Sequence, residues 1–156
     1  MKSLYDFIIK PVGDLYKNEI QVGDKKLVLN TKIESWKFVN RLAEVVEVPI
    51  AFKTKINKGD KIIVHQNVFR VFYNIRGEKK KSRSFFKDDL YFCNIDQIYL
   101  YKNSNRWHSF GDRCFIQPIK ETSSTTLDKE QKLIGILKYG NSSLETLEIN
   151  EGDKVG

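Results

Sequence analysis

The 156-residue chain contains the stretch Ile56-Asn57-Lys58-Gly59-Asp60-Lys61-Ile62, which returns 93 residues later as Ile149-Asn150-Glu151-Gly152-Asp153-Lys154-Val155 with five of seven positions identical. A Gly-Asp pair is a turn signal, and the apolar residue after each pair is typical of the start of a strand. The repeated stretch therefore predicts a turn and a strand at two places in the chain.

Two other segments precede each copy in the same order. Asp6–Val12 is echoed by Asp112–Ile119, and Ala43–Val48 corresponds loosely to Ile134–Tyr139. Three matches in one order favour an internal repeat over a chance similarity. We predict one complete β unit, followed by a second unit that begins near Trp107 and stops after its Gly-Asp turn.

Short apolar segments rich in Ile, Val, Phe and Tyr surround the repeat, with turn signals between them. A spacing of about ten residues between such segments is typical of a small all-β barrel or sandwich. Strands are predicted over Tyr5–Val12, Lys26–Leu29, Leu42–Val48, Lys61–Tyr73 and Asp89–Lys102, with a turn at Gly77. A second interpretation stays open for Glu34–Ala43, because Ile33, Trp36 and Val39 recur at the spacing of a short helix.

Composition excludes several classes of protein. Apolar residues make up 40% and aromatic residues 12% of the chain, which is too much for a disordered protein. No apolar run reaches the 18 residues or so of a transmembrane helix, so we expect no membrane partner. Two cysteines, Cys93 and Cys114, make no disulfide framework and predict a reducing, cytoplasmic setting.

Residues with catalytic or metal-binding chemistry are few and scattered. His65 and His108 lie 43 residues apart, and Cys93 follows Tyr91 and Phe92 in a predicted strand. We therefore interpret Cys93 as a buried, inert thiol. The sequence has no glycine-rich phosphate loop and no nucleophile elbow. We predict no enzyme activity, no cofactor and no metal site.

The order of these segments resembles the GroES-type co-chaperonin family. Asp6-Phe7-Ile8-Ile9 fits the family's first strand, Ala43-Glu44-Val45 its next strand, and Ile56–Ile62 its Gly-Asp turn. Asp96-Gln97-Ile98-Tyr99-Leu100 fits its last strand, and Leu27-Val28-Leu29 fits the hydrophobic tripeptide of its mobile loop. The chain departs from the family in having Lys25-Lys26 where the family has Gly-Gly before the tripeptide. The stretch between Val48 and Gly59 is short and leaves little room for the family's roof hairpin, as in compact, phage-encoded relatives.

The resemblance implies an all-β fold made of a GroES-like barrel over 1–104 and a partial second copy over 105–156. It implies that the first strand, Phe7–Lys10, and the last strand, Ile98–Tyr101, pair between neighbouring copies in a homo-oligomer. The missing strands of the second copy predict that the parent protein continues beyond Gly156.

The function implied by the resemblance is that of a co-chaperonin, which docks on a GroEL-like chaperonin ring and assists folding. Leu27, Val28 and Leu29 would insert into an apolar groove of that ring, although the same tripeptide also fits a core strand. The Lys-, Asn-, Phe- and Tyr-rich composition favours a phage protein acting in the cytoplasm of a bacterial host. The alternatives are a phage structural or assembly protein that uses the barrel as a scaffold, and a single-strand nucleic-acid-binding barrel.

The net charge of +7 is concentrated in one segment. Arg70–Lys87 contains seven basic residues against Glu78 alone. Basic and aromatic residues that alternate are typical of single-strand nucleic-acid surfaces, but a solvated hairpin tip has the same composition. We rank nucleic acid below the chaperonin ring as a partner. The residues of this basic patch are Arg76, Lys79, Lys80, Lys81 and Arg83.

Overall fold

The structure is a computed structural model that describes residues 2–16, 19–28, 36–120 and 130–156. It divides into two compact units, Met1–Asn103 and Ser104–Gly156. Both are built from antiparallel strands, so the predicted all-β class is confirmed.

The described residues of the first unit form ten strands. They are β1 (Phe7–Pro11), β2 (Glu19–Val22), β3 (Lys25–Val28), β4 (Leu42–Glu47), β5 (Lys61–Val64), β6 (Val71–Tyr73), β7 (Lys79–Lys81), β8 (Phe85–Lys87), β9 (Leu90–Cys93) and β10 (Ile98–Asn103). Six of them lie side by side in the order β10-β5-β4-β1-β9-β8. The hairpins β2–β3 and β6–β7 each form a separate two-stranded sheet.

The predicted closed barrel is not formed by the described residues. The strands at the two ends of the six-stranded order, β10 and β8, do not pair with each other there. The β6–β7 hairpin lies between β5 and β8 in the chain, and its two strands form a separate sheet, so among the described strands it does not close the larger sheet. The unit is therefore an open sheet with two separate hairpins.

The predicted pairing of the first strand with a neighbouring copy is also wrong. Strand β1 pairs with β4 on one side and with β9 on the other, so both of its edges are occupied inside the chain. Ile9, for example, lies opposite Val45 on β4 and opposite Tyr91 on β9. A strand with no free edge cannot extend a sheet into a second molecule.

Two long predicted strands are each interrupted by a short 3-10 helix. Lys61–Tyr73 breaks at Gln66–Val68, where His65 Nδ1 accepts a hydrogen bond from the Asn67 amide at 3.1 Å. Asp89–Lys102 breaks at Ile95–Gln97, where Asn94 forms a capping box. These side chains satisfy amides that would otherwise pair in the sheet, and so they end the strands.

The helix considered for Glu34–Ala43 is reduced, within its described part, to a 3-10 turn at Trp36–Phe38. Leu42 and Ala43 belong instead to β4. Gly77 does lie in a turn, between β6 and β7, with a φ of 75° that favours glycine.

The core of the first unit is made of aliphatic and aromatic side chains from the six-stranded sheet and the 3-10 helix that follows β5. The rings of Phe69 and Tyr91 meet edge to face, with 4.9 Å between their centroids. Such contacts add to the burial that drives folding. The other fully buried large side chains of this unit are Phe7, Ile8, Ile9, Val45, Ile56, Ile62, Val64, Val68 and Ile98.

Four strands and one short helix are formed by the described part of the second unit, residues 104–120 and 130–156. They are β11 (Arg106–Ser109), β12 (Phe115–Lys120), β13 (Glu130–Tyr139), the helix α1 (Ser142–Thr146) and β14 (Lys154–Val155). Strands β12, β13 and β14 form a three-stranded sheet in that order.

That sheet repeats the arrangement β1-β4-β5 of the first unit. Both sheets are antiparallel and have the long middle strand flanked by the other two. The register of β1 shifts between Ile8 and Ile9, and that of β12 shifts between Phe115 and Ile116. The segments that matched in the sequence therefore have the same pairing and the same irregularity in the structure.

The turns before β5 and β14 also share their hydrogen bonds. The Gly59 amide donates to the Val45 carbonyl at 2.8 Å, and the Val45 amide donates to the Asp60 carbonyl at 2.9 Å. The same two bonds recur at 2.8 and 2.9 Å in the second unit, between Gly152, Leu137 and Asp153. In both turns an aspartate carboxylate accepts from the asparagine amide three residues earlier, at 2.8 Å in the first and 2.7 Å in the second.

Candidate functional site

The predicted mobile-loop tripeptide lies partly on the β2–β3 hairpin. Leu27 is opposite Ile20, and Val28 is opposite Glu19. Leu29 lies outside the described residues. The tip of the hairpin, Gly23-Asp24, is exposed, and Gly23 has the positive φ of 60° that a two-residue turn requires.

The base of this segment is held by the side chain of Asn40, which is only 2% exposed. Its Nδ2 donates to the Val12 carbonyl at 2.9 Å and to the Asp14 carbonyl at 3.0 Å. Its Oδ1 accepts from the Leu42 amide at 3.0 Å. One side chain thus joins the chain leaving β1 to the chain entering β4, on either side of the hairpin.

The predicted basic patch lies on and after the β6–β7 hairpin. Arg76, Lys79, Lys80, Lys81 and Arg83 are all exposed. Lys80 pairs with Glu78 at 3.0 Å, and this contact, followed by the hydrogen bond from Asn74, holds the pKa of Glu78 below its usual value. Lys81 Nζ lies 3.8 Å from the centre of the Phe85 ring. Two of the three lysines therefore have local partners, which is typical of a solvated hairpin.

Below this patch the first unit has a cavity of about 340 Å³. Two arginines, Arg70 and Arg83, line it together with polar residues and one aromatic residue. The other lining residues that matter here are Asn67, Phe72, Ser82 and Ser84. Of these residues, Arg83 belongs to the basic patch predicted from the sequence, and Arg70 begins the basic run Arg70–Lys87.

A second cavity of about 200 Å³ is lined by Trp36, Val39, Gln66, Asn67 and Arg70, so the two cavities share two residues. The Trp36 side chain is 55% exposed. Cations flank its ring, because Lys37 Nζ lies 5.7 Å and Arg41 Cζ 5.9 Å from the ring centre. The Arg41 guanidinium is held in place by a 3.0 Å hydrogen bond to Gln66 Oε1.

The residues considered for chemistry have structural surroundings. Cys93 is buried, and burial followed by the charge of Asp6 raises the pKa of its thiol to about 12. The Cys93 thiol is therefore protonated and unreactive at neutral pH. His65 caps a 3-10 helix, and its ring meets Tyr99 edge to face.

The part of the chain that the structure describes has neither a metal-binding cluster nor a membrane-spanning helix. No group of three or more His, Cys, Asp or Glu side chains there is placed to hold a metal ion. Nor does any helix of those residues have the length and apolar content needed to cross a membrane.

Comparisons with protein-family models, with curated proteins and with solved structures find no match to this chain.

Proposed function

We propose that this chain is a co-chaperonin-like protein that docks on a GroEL-like chaperonin ring through the β2–β3 hairpin. The observation that carries the proposal is that, among the described residues, the strands of this hairpin, which include Leu27 and Val28, form a separate two-stranded sheet. Its place between β1 and β4 agrees with the position of the mobile loop in the family that the sequence resembles.

The proposal includes a GroES-like origin for both units, with the second a partial copy of the first. The shared strand order, register shift and turn hydrogen bonds support a duplication. Docking through a short apolar segment gives weak affinity at each site. We therefore infer a homo-oligomer, because several hairpins presented together raise the affinity through multivalency.

The test is binding of the full chain to a purified GroEL-type ring, with and without ATP. Replacing Leu27 and Leu29 by Asp places two charges in the apolar groove of the partner, where they lose hydration without gaining a counter-charge. We expect at least a tenfold loss of binding while the far-ultraviolet circular dichroism stays that of the parent chain.

A matched control is Ile75→Asp, since the Ile75 side chain is fully exposed on the turn of the other hairpin. This variant should bind the ring as the parent chain does. Equal binding by the parent chain and the double variant would refute docking through the tripeptide. A double variant that fails to fold would assign the tripeptide to the core. Failure of the parent chain to bind any ring would favour the alternative, a phage structural or assembly scaffold.

Sedimentation of the full chain tests the oligomer separately. A ring or other multimer at micromolar concentration is expected, since single hairpins bind weakly. A stable monomer under these conditions would contradict the multivalent mechanism. Hairpin docking would then have to work with one contact per molecule.

A further inference from the structure

We propose that the two adjoining cavities of the first unit form a binding site for a nucleotide, with the phosphate between Arg70 and Arg83 and the base beside Trp36. The site is independent of the hairpin and of the co-chaperonin proposal. Its ligand is a nucleoside phosphate, either free or as part of a single strand of nucleic acid.

The two arginines are the first reason. Within residues 2–16, 19–28, 36–120 and 130–156, no carboxylate oxygen lies within 4.0 Å of the guanidinium of Arg70 or Arg83. Two cations that line one concave space repel each other, and that repulsion is relieved when an anion binds between them. Guanidinium groups suit phosphate because their planar donors match two oxygens at once.

The other polar groups of the larger cavity fit a phosphate ester. Ser84 and Asn67 supply a hydroxyl and an amide group, which add neutral donors beside the charged ones. Ser82 is fixed by donating to the Val68 carbonyl at 2.5 Å. A cavity of about 340 Å³ is within the range of small-molecule sites.

The second cavity supplies an aromatic surface next to the first. Asn67 and Arg70 line both cavities, so a ligand that reaches from one to the other passes these two residues. Trp36 begins the 3-10 turn Trp36–Phe38 and is about half exposed, whereas Val39, directly after that turn, is buried. An exposed indole beside cations is what stacking of a base next to its phosphate requires.

Positive charge around the two cavities favours the binding of an anion there. Lys37 and Arg41 lie beside the indole. The exposed lysines of β7 pair with β6, the strand that contains the cavity residue Phe72. This surface attracts anions over a distance of about 10 Å at moderate salt. The cavities then select those anions that carry both a phosphate and a planar ring.

The experiment measures binding of three probes to the full chain by calorimetry: inorganic phosphate, AMP and a ten-residue oligothymidylate. We expect AMP to bind at least tenfold more tightly than phosphate, because only AMP reaches Trp36. The variant Trp36→Ala should reduce AMP binding to the level of phosphate and leave phosphate binding unchanged.

The decisive variant carries Arg70→Gln and Arg83→Gln, and its matched control carries Arg76→Gln and Lys79→Gln. Both lose two charges from the same hairpin region, but only the first pair lines the cavity. We expect AMP binding to fall more than tenfold in the first variant and less than threefold in the control. For the oligothymidylate, the slope of log K against log salt should decrease in magnitude by about 0.7 in the first variant, since the one phosphate held between the two arginines contributes about 0.7.

Binding of AMP but not of the oligothymidylate would assign the site to free nucleotides, and tighter binding of the oligothymidylate would assign it to single strands. Equal losses in the two double variants would overturn the proposal, because they would show a diffuse basic surface. Absence of AMP binding at millimolar concentration would overturn it as well.

Discussion

Replacing Asn40 tests how the segment that carries the β2–β3 hairpin is held. Its buried amide makes three hydrogen bonds of 2.9 to 3.0 Å to the main chain at Val12, Asp14 and Leu42. A hydrogen bond of this kind contributes about 1 kcal/mol net, and a buried group left without a partner costs about 1 to 3 kcal/mol. Asn40→Ala should therefore lower the free energy of unfolding of the first unit by about 3 kcal/mol.

Asn40→Asp gives a sharper test because it keeps the shape of the side chain. The introduced carboxylate still accepts from the Leu42 amide, but it faces the Val12 and Asp14 carbonyl oxygens with no proton to donate. Burial raises the pKa of the introduced carboxyl, so the stability of this variant is greatest below the unfolded-state pKa of about 3.9 and is lost as the pH rises. Measured against the parent chain, the deficit should be larger at pH 7 than at pH 4.

The assay is urea unfolding followed by the fluorescence of Trp36 in a Trp107→Phe background, so that the signal comes from the first unit. A loss below 0.5 kcal/mol for Asn40→Ala, on the scale where one net hydrogen bond contributes about 1 kcal/mol, would show that the three bonds do not hold the segment. An Asn40→Asp deficit that does not change between pH 4 and pH 7 would show that its carbonyl partners are reached by water.

Three further outcomes follow from the structure. A thiol reagent at pH 8 should label Cys114 in the native protein and Cys93 only after unfolding, because burial raises the pKa of the Cys93 thiol to about 12; fast labelling of both would contradict its burial. Asp60→Ala and Asp153→Ala should each weaken their own unit by about 1 kcal/mol through the lost carboxylate hydrogen bond, as measured by hydrogen exchange of β5 and β14. Gly135→Ala should destabilise the second unit by about 1 to 3 kcal/mol in thermal unfolding, because the added Cβ would lie 2.9 Å from a backbone oxygen of β12; an unchanged transition would show that β12 moves aside freely.

The repeated turn could be predicted from the sequence because its chemistry is local. Gly59 and Gly152 have φ of 89° and 101°, a region that favours glycine, and the Asp that follows each of them accepts from an amide three residues earlier. Residues within four positions of one another make these interactions. The local sequence alone therefore suffices to predict the turn.

The open sheet and the broken strands could not be predicted in the same way. His65 and Asn94 end two strands by accepting hydrogen bonds from amides two residues ahead, in segments whose apolar alternation is typical of a continuous strand. Closure of a barrel depends on pairing between strands that are far apart in the chain. Alternation of apolar residues predicts which face of a strand is buried, but it does not predict which strand pairs with an edge strand.

The candidate sites also have a part that is local in sequence and a part that depends on the tertiary fold. The basic run over Arg70–Lys87 was visible in the sequence, but the cavity depends on how β6 and the segment after β7 fold back on Asn67. In the sequence, Trp36 stands out only because it lies at the spacing of a short helix. Its position beside Arg70 required the tertiary fold.

The matched turns have a consequence for how the chain folds. Lys61-Ile62 and Lys154-Val155 follow the same Gly-Asp pair and bond to their middle strands in the same way, so each is a competent closing strand for either β4 or β13. We expect the two strands to compete during folding, because an exchanged pairing would satisfy the same kind of backbone groups as the native one. Internal repeats with interchangeable strands are prone to such kinetic traps. Strand β5 also pairs with β10, from Lys61 opposite Lys102 to Val64 opposite Ile98, and this second neighbour favours the native pairing of β5 with β4.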